Sequence, residues 1–141
     1  MTIKVAILSG GKSKKEALEK HIEIYKTRMK KRLFLEEKKL VVSQIISRKK
    51  EGKSGIYIAL DPTGQELTSE AFAEKLIQWT TYKQIYFMIG EAEGLSKEAL
   101  MQADFRLSLS KMVFPHQIAR LLLVEQLYRA YSLQEGKKYH K

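Results

Sequence analysis

Four short strand-like runs, Ile3–Leu8 (IKVAIL), Ile56–Leu60 (IYIAL), Ile85–Ile89 (IYFMI) and Phe105–Leu109 (FRLSL), each stop at residues that turn a chain. The stops are Ser9-Gly10-Gly11, Asp61-Pro62-Thr63-Gly64, Gly90 and Ser110. Amphipathic stretches with helical spacing lie between them. Leu18, Ile22, Tyr25 and Met29 form one stripe, reaching to about Arg32, and Ser13 with Glu16 three residues on has the spacing of a capping box. Ser69–Thr81 carries Phe72, Leu76 and Trp79, Ser96 caps a short helix to about Ala103, and Pro115 suits the first turn of a helix running to about Leu133. Residues 33–55 are ambiguous. LFL has the makings of a short strand and Glu36–Lys50 is expected as helix, although LVVSQII also suits a strand.

Strands alternating with helices over short connections dictate a parallel sheet covered by helices. At 141 residues, one domain spanning 1–141 is expected. Ligands of such sheets sit at the carboxyl ends of the strands, here Ser9–Gly11, Leu60–Gly64, Gly90–Gly94 and Ser110–His116. The chain has no cysteine, which excludes disulfides, thiolate metal sites and cysteine nucleophiles. No run of about 18 apolar residues is present, and MTIKVAIL is too short in its apolar part for a signal peptide. No membrane partner is expected, and the cytoplasm is the expected compartment.

The net charge of +10 is unevenly placed. Residues 1–55 hold 16 Lys/Arg against 6 Asp/Glu, whereas residues 56–141 balance at ten each. The excess is densest in KTRMKKR (26–32) and RKKEGK (48–53). Such asymmetry suggests a polyanion, most plausibly nucleic acid, and a solvated lysine-rich surface is the plainer reading.

Ala6-Ile-Leu-Ser-Gly-Gly-Lys12-Ser13 matches a relaxed P-loop, with Asp61 as a stand-in for a magnesium carboxylate. A P-loop needs a glycine-led wide turn, and here the alanine falls inside the strand. His21, His116 and His140 lack the spacing of metal ligands, so no metal site is expected. The last helix is apolar on nearly every side, from Ile118 to Tyr131. It is either a central core helix or the face of a homodimer. Arg120, Glu125 and Arg129 interrupt it, and an arginine so placed is either paired or functional. Residues 134–141 (QEGKKYHK) gather an aromatic ring, an imidazole and three lysines, a set that can stack on a base and hold phosphate.

The stretch from Ile85 to Lys141 resembles the ribosomal RNA large-subunit methyltransferase H family, of the knotted SPOUT class. The resemblance is carried by IGEAEGLS (89–96), LSLSKMVFPHQIARLLLVEQLYRAYS (107–132) and YHK (139–141). It implies an α/β fold with a C-terminal trefoil knot, a homodimer, and S-adenosylmethionine as methyl donor. It also implies a target at N3 of a pseudouridine in large-subunit rRNA, met in the assembled ribosome. By motif, the cofactor would be held at Leu60, Gly90 and Leu109, Ser110, Lys111, Met112, Val113 and Phe114. Arg129, Tyr139, His140 and Lys141 would lie on the target side, with His140 as candidate base or, with Tyr139, a positioning group. Gly90 is expected to let the backbone approach the cofactor. Glu91 stands where the family has a second glycine; a φ > 0 there would cost a glutamate roughly 1 kcal/mol. The alternative is a non-catalytic RNA- or ribosome-binding module of the same fold.

Overall fold

The computed structural model describes residues 2–10 and 16–136. Among these residues five parallel strands alternate with five helices: β1 (Ile3–Ser9), α1 (Glu16–Met29), β2 (Leu33–Lys39), α2 (Val42–Lys50), β3 (Ile56–Glu66), α3 (Ser69–Trp79), β4 (Ile85–Met88), α4 (Lys97–Gln102), β5 (Phe105–Ser108) and α5 (His116–Gln134). The sheet order is β2-β1-β4-β3-β5. Side chains of a strand alternate between faces, so each strand feeds two cores. Val5, Ile7, Ile58 and Phe87 pack with Ile22, Phe72, Leu76, Leu123 and Leu127 from α1, α3 and α5. Ala6, Leu8, Ala59 and Met88 pack with Ile45 of α2 and Ala99 of α4 on the opposite face. Burial on both sides is why IKVAIL, IYIAL and IYFM read as nearly unbroken apolar runs.

Local chemistry sets several boundaries. The Thr68 hydroxyl accepts from the Ala71 amide at 3.0 Å and starts α3, and Ser96 does the same for Ala99 at 3.1 Å and starts α4. The Ser13 cap expected for α1 lies outside the described residues.

Two expectations are corrected. Helix was expected over Glu36–Lys50, but Leu33–Lys39 is a full strand paired with β1 from Ile3↔Leu33 to Ser9↔Lys39, and helix begins at Val42. A seven-residue β1 needs an edge partner, and Leu33 and Leu35 are buried while Phe34 is exposed, the period-2 signature. The second correction concerns Asp61-Pro62-Thr63-Gly64. These residues do turn, with the Thr63 amide donating to Asp61 Oδ1 at 3.1 Å. They do not end the strand: Leu60 and Gln65 both register with Leu107, so the four residues bulge out and β3 resumes to Glu66.

The last helix lies against α1 and α3, and Leu123, Val124, Leu127, Tyr128 and Tyr131 are buried within one subunit. Arg120 is buried too, 2% exposed, and it is paired. It donates to both carboxylates of Glu37 and Glu19, with Nη2 at 2.8 Å from an oxygen of each, and to Gln117 Oε1 at 3.2 Å. One guanidinium therefore ties α5 to α1 and to β2. Lys26 adds a second cation to Glu37 at 3.1 Å. Burial pushes the Glu37 carboxyl up, but the Arg120 hydrogen bonds and the Lys26 charge outweigh it and hold it at about 2.

Candidate active site

A cavity of about 310 Å³ opens at the carboxyl ends of β3, β4 and β5. Three loops enclose it. Leu60, Asp61 and Pro62 come from the β3 bulge, Ile89–Leu95 from the loop after β4, and Leu109, Ser110, Met112, Val113 and Phe114 from the β5–α5 connection. Leu100 of α4, His116 and Ala119 of α5 complete it. Mainly apolar walls with a few polar groups are the usual makeup of a small-molecule site.

Each loop is shaped by its own residues. The Gly94 amide donates to the Glu91 carbonyl at 2.8 Å, closing a tight turn over Glu91-Ala92-Glu93-Gly94. Gly94 has φ 83°, the left-handed region in which glycine is unstrained. The turn folds back so closely that a Cβ on Gly90 would meet the backbone of Gly94 and Leu95, 2.7 Å from the Gly94 carbonyl oxygen. The expectation that Gly90 clears space for a ligand thus acquires a nearer cause: it clears space for the chain itself. Glu91 does not simply fill the mouth of the cavity. Its carboxylate lies against Gly10 at the end of β1, where a Cβ would collide with it.

In the β5–α5 connection, Ser110 Oγ accepts from the Met112 amide at 3.0 Å, and Ser108 Oγ lies 3.2 Å from the Pro62 carbonyl and 2.9 Å from that of Ser110. Those contacts bind the first and third loops together. Met112 and Val113 remain 73% and 74% exposed at the rim. His116 sits at the start of α5 with Nδ1 3.2 Å from the Gln117 side-chain nitrogen. Its Nε2 is buried without a hydrogen-bond partner among the described residues. A buried polar atom left unpaired is costly, and this one is closed off from solvent although His116 lines the cavity.

Of the residues expected around a cofactor, Leu60, Gly90, Leu109, Ser110, Met112, Val113 and Phe114 are brought together on this cavity. Lys111 points away, exposed, with its ammonium 4.0 Å from Glu66. Arg129 is not at this cavity. It follows the last lining residue of α5, Ala119, by ten positions, roughly 15 Å along the helix, and its Nη2 donates to Glu125 at 2.8 Å. Tyr139, His140 and Lys141 lie outside the described residues. Sequence reasoning did not single out Leu100 or Ala119, which carry no chemical signal. The strand-end rule had already reached Asp61, Pro62 and His116.

The P-loop alternative does not survive. Ala6 lies in the middle of β1, paired with Glu36 and Tyr86, so no wide turn can start there. Among the described residues no group of three His, Asp or Glu could hold a metal, and no helix is long and apolar enough to cross a membrane.

Comparison with known proteins places this architecture. Residues 1–140 match the family described as Predicted SPOUT methyltransferase. A ribosomal RNA large subunit methyltransferase H from Acetivibrio thermocellus is 34% identical over 99% of this chain and 100% of its own. One from Prochlorococcus marinus is 39% identical over 96% and 94%. One from Desulfotalea psychrophila reaches 52% identity over 60% of this chain, and there the chain spans 56% of the relative's length. Among solved structures, the A. aeolicus TrmH/SpoU tRNA modifying enzyme superposes with TM-score 0.54 over 96% of this chain and 78% of its own, at 14% identity. The SpoU methyltransferase AviRb from Streptomyces viridochromogenes, in complex with AdoMet, gives 0.53 over 96% and 59%, at 10% identity. At such identities the structural likeness speaks for the fold, and the full-length sequence matches speak for descent. The chain belongs to the SPOUT methyltransferase family.

Proposed function

We propose that this protein transfers a methyl group from S-adenosylmethionine to large-subunit ribosomal RNA, at N3 of a pseudouridine. The observation that carries the reading is the cavity at the ends of β3, β4 and β5, enclosed by the three strand-end loops and mainly apolar in its walls. A relative named for rRNA methylation matches over its whole length, and a protein of like fold was solved with AdoMet.

The residues fit that donor. Leu60, Leu109, Met112 and Val113 offer flat apolar contact to an adenine or methionine chain, and loop amides and carbonyls offer hydrogen bonds. When bound, the cofactor supplies a methyl on a sulfonium, which passes in line to the deprotonated imide nitrogen and leaves a neutral thioether. The protein's task is then orientation and exclusion of water, and a well-aligned pair reaches effective molarities of about 10⁵ M or more. The imide proton needs an acceptor, for which His140 is the candidate, with Tyr139 and Lys141 holding the base and phosphate.

Arg129 lies too far along α5 to serve the cavity of its own subunit. The reading therefore includes a homodimer in which Arg129 and the tail act on the partner's cavity, together with the C-terminal trefoil knot and a cytoplasmic, ribosome-associated setting. Met112 and Val113 before α5 and Ile118 in its first turn offer exposed apolar surface to a second copy. If the site is shared, mixing Arg129→Ala chains with His140→Ala chains restores part of the activity that each lacks alone. Methyl incorporation into unmethylated ribosomes reads this, and mixtures as inactive as the parents would refute the shared site.

Titration calorimetry with S-adenosylmethionine tests the cavity, with micromolar binding expected. Absence of binding would instead favour a non-catalytic RNA-binding module. Glu91→Gly is expected to leave that affinity within about threefold of wild type or to tighten it, because the carboxylate rests on Gly10 and is exposed. A large loss in the same titration would give the acid a direct part in binding.

A further inference from the structure

A second cavity, of about 90 Å³, lies at the far side of the sheet between β2 and α2. Its lining sets Lys38 and Lys39 at the end of β2, Arg48 on α2, and Tyr57 and Tyr86 beneath among apolar side chains of β1 and α2. Two cations of α2 lie over rings, of which Arg48 lines the cavity. The Arg48 guanidinium lies 5.8 Å from the Tyr86 centroid and the Lys49 ammonium 5.2 Å from that of Tyr57. Tyr57 and Tyr86 themselves stack at 4.4 Å with an interplanar angle of 2°.

The register extends this groove along the edge strand. Phe34, Glu36 and Lys38 share one face of β2 and stand opposite Lys4, Ala6 and Leu8 of β1. Tyr86 pairs with Ala6, so Phe34 lies one pleat, roughly 7 Å, from the level of the Arg48–Tyr86 contact. Phe34 is 50% exposed, and Lys4 beside it is exposed. Glu36 is the acid on this face, with its carboxylate 3.8 Å from Lys38.

Two ordinary causes account for part of this. Cations in the last turn of α2 complement the helix dipole, and an isolated exposed apolar side chain is common. Neither explains paired lysines at the end of a strand, nor an aromatic ring left open beside a lysine on the same face. Clustered cations with an accessible ring are what single-stranded nucleic acid requires: charge for phosphates and a π-face for a base.

We infer that the β2–α2 groove is a second contact site for single-stranded RNA, seating phosphate among Lys38, Lys39 and Arg48 and stacking a base on Phe34. The inference rests on the reading of the protein as an RNA methyltransferase. Phe34 lies two strands across and about five residues down from Ile89 at the reaction cavity, roughly 19 Å, so one nucleotide cannot occupy both. The groove holds flanking RNA while the cavity side acts on the target.

The test uses the full chain, a fluorescently labelled single-stranded oligoribonucleotide, and anisotropy titrations at several salt concentrations. The variants are Phe34→Ala and the double Lys38→Ala/Lys39→Ala, with calorimetric titration of S-adenosylmethionine alongside as a check on folding. Phe34→Ala is expected to weaken RNA binding about 5- to 100-fold with the salt slope unchanged. The lysine double variant is expected to flatten the slope of log K against log salt by about 1.4, two single-strand phosphate contacts. RNA affinities and slopes within twofold of wild type in both variants overturn the groove. So does a wild-type chain that prefers polyglutamate or phosphatidylserine vesicles to the RNA. Cofactor binding is read separately: intact cofactor binding with unaffected RNA binding sinks the groove alone, and lost cofactor binding with the variant effects present sinks the cavity reading alone.

Discussion

Arg120→Ala is expected to destabilise the protein by about 3–5 kcal/mol, the range for removing one partner of a buried ion pair. The substitution leaves the Glu19 and Glu37 carboxylates facing each other with their shared guanidinium gone. It also opens a cavity where α5 meets α1 and β2. For a chain of this length the melting temperature should fall by roughly 10–20 °C, read by circular dichroism. Arg120→Lys should recover little, because an ammonium cannot make two forked contacts at once. Replacing Arg120, Glu19 and Glu37 together with apolar side chains should recover most of the loss, since no charge then stays buried.

The same cluster gives the acid limb of stability. The Glu37 carboxyl sits at about 2 in the folded protein against an ordinary 4.5. Its folded form binds the proton more weakly, so its contribution is fully present above about pH 4.5 and drains away as pH falls toward 2. That difference corresponds to about 3 kcal/mol. In Arg120→Ala the acid limb should be shallower, and an unchanged limb would remove Glu37 from the account.

Gly90→Ala is expected to abolish binding of the methyl donor, at least 100-fold by calorimetry. The added Cβ would overlap the backbone of Gly94 and Leu95, and backbone cannot swing aside as a side-chain tip can. The turn over 91–94 must open, and that turn is one wall of the cavity. Gly94→Ala separates sterics from conformation. Its Cβ meets nothing within 4 Å, but φ 83° costs an L-residue about 1–2 kcal/mol. Gly94→Ala should therefore lower stability with a smaller effect on binding. Equal binding losses in the two variants would show that the loop's backbone angle, not close packing at Gly90, shapes the wall.

The strand order of this sheet could not be read from residue patterns, but its layering could. IKVAIL, IYIAL and IYFM are apolar on both faces, and only a parallel sheet covered by helices demands that. Edge strand β2 was harder because Glu36, Glu37, Lys38 and Lys39 carry no alternation once Leu35 is passed. The pairing partner, not the local sequence, makes them strand. Leu60, Gly90, Leu109, Ser110, Met112, Val113 and Phe114 were legible as cavity lining through family motifs and strand ends, whereas Lys111, expected with them, stands outside it. The Glu91–Gly10 contact was not, because it joins two loops eighty residues apart in sequence that only the β1–β4 pairing brings together. Arg120 was legible as a residue needing a partner; its partners, on α1 and β2, were not.

The bulge in β3 has a kinetic consequence. Because Leu107 registers with both Leu60 and Gln65, the Leu60–Pro62 wall is stitched to β5 on both sides of the excursion. It cannot fray from a free end, since it has none. The wall at 91–94 hangs from a single turn, and Met112 and Val113 stand exposed at the rim. Amide exchange should then be slow at Leu60 and Gln65 and fast at 92–93 and 113, giving the cavity one fixed jaw and one that yields.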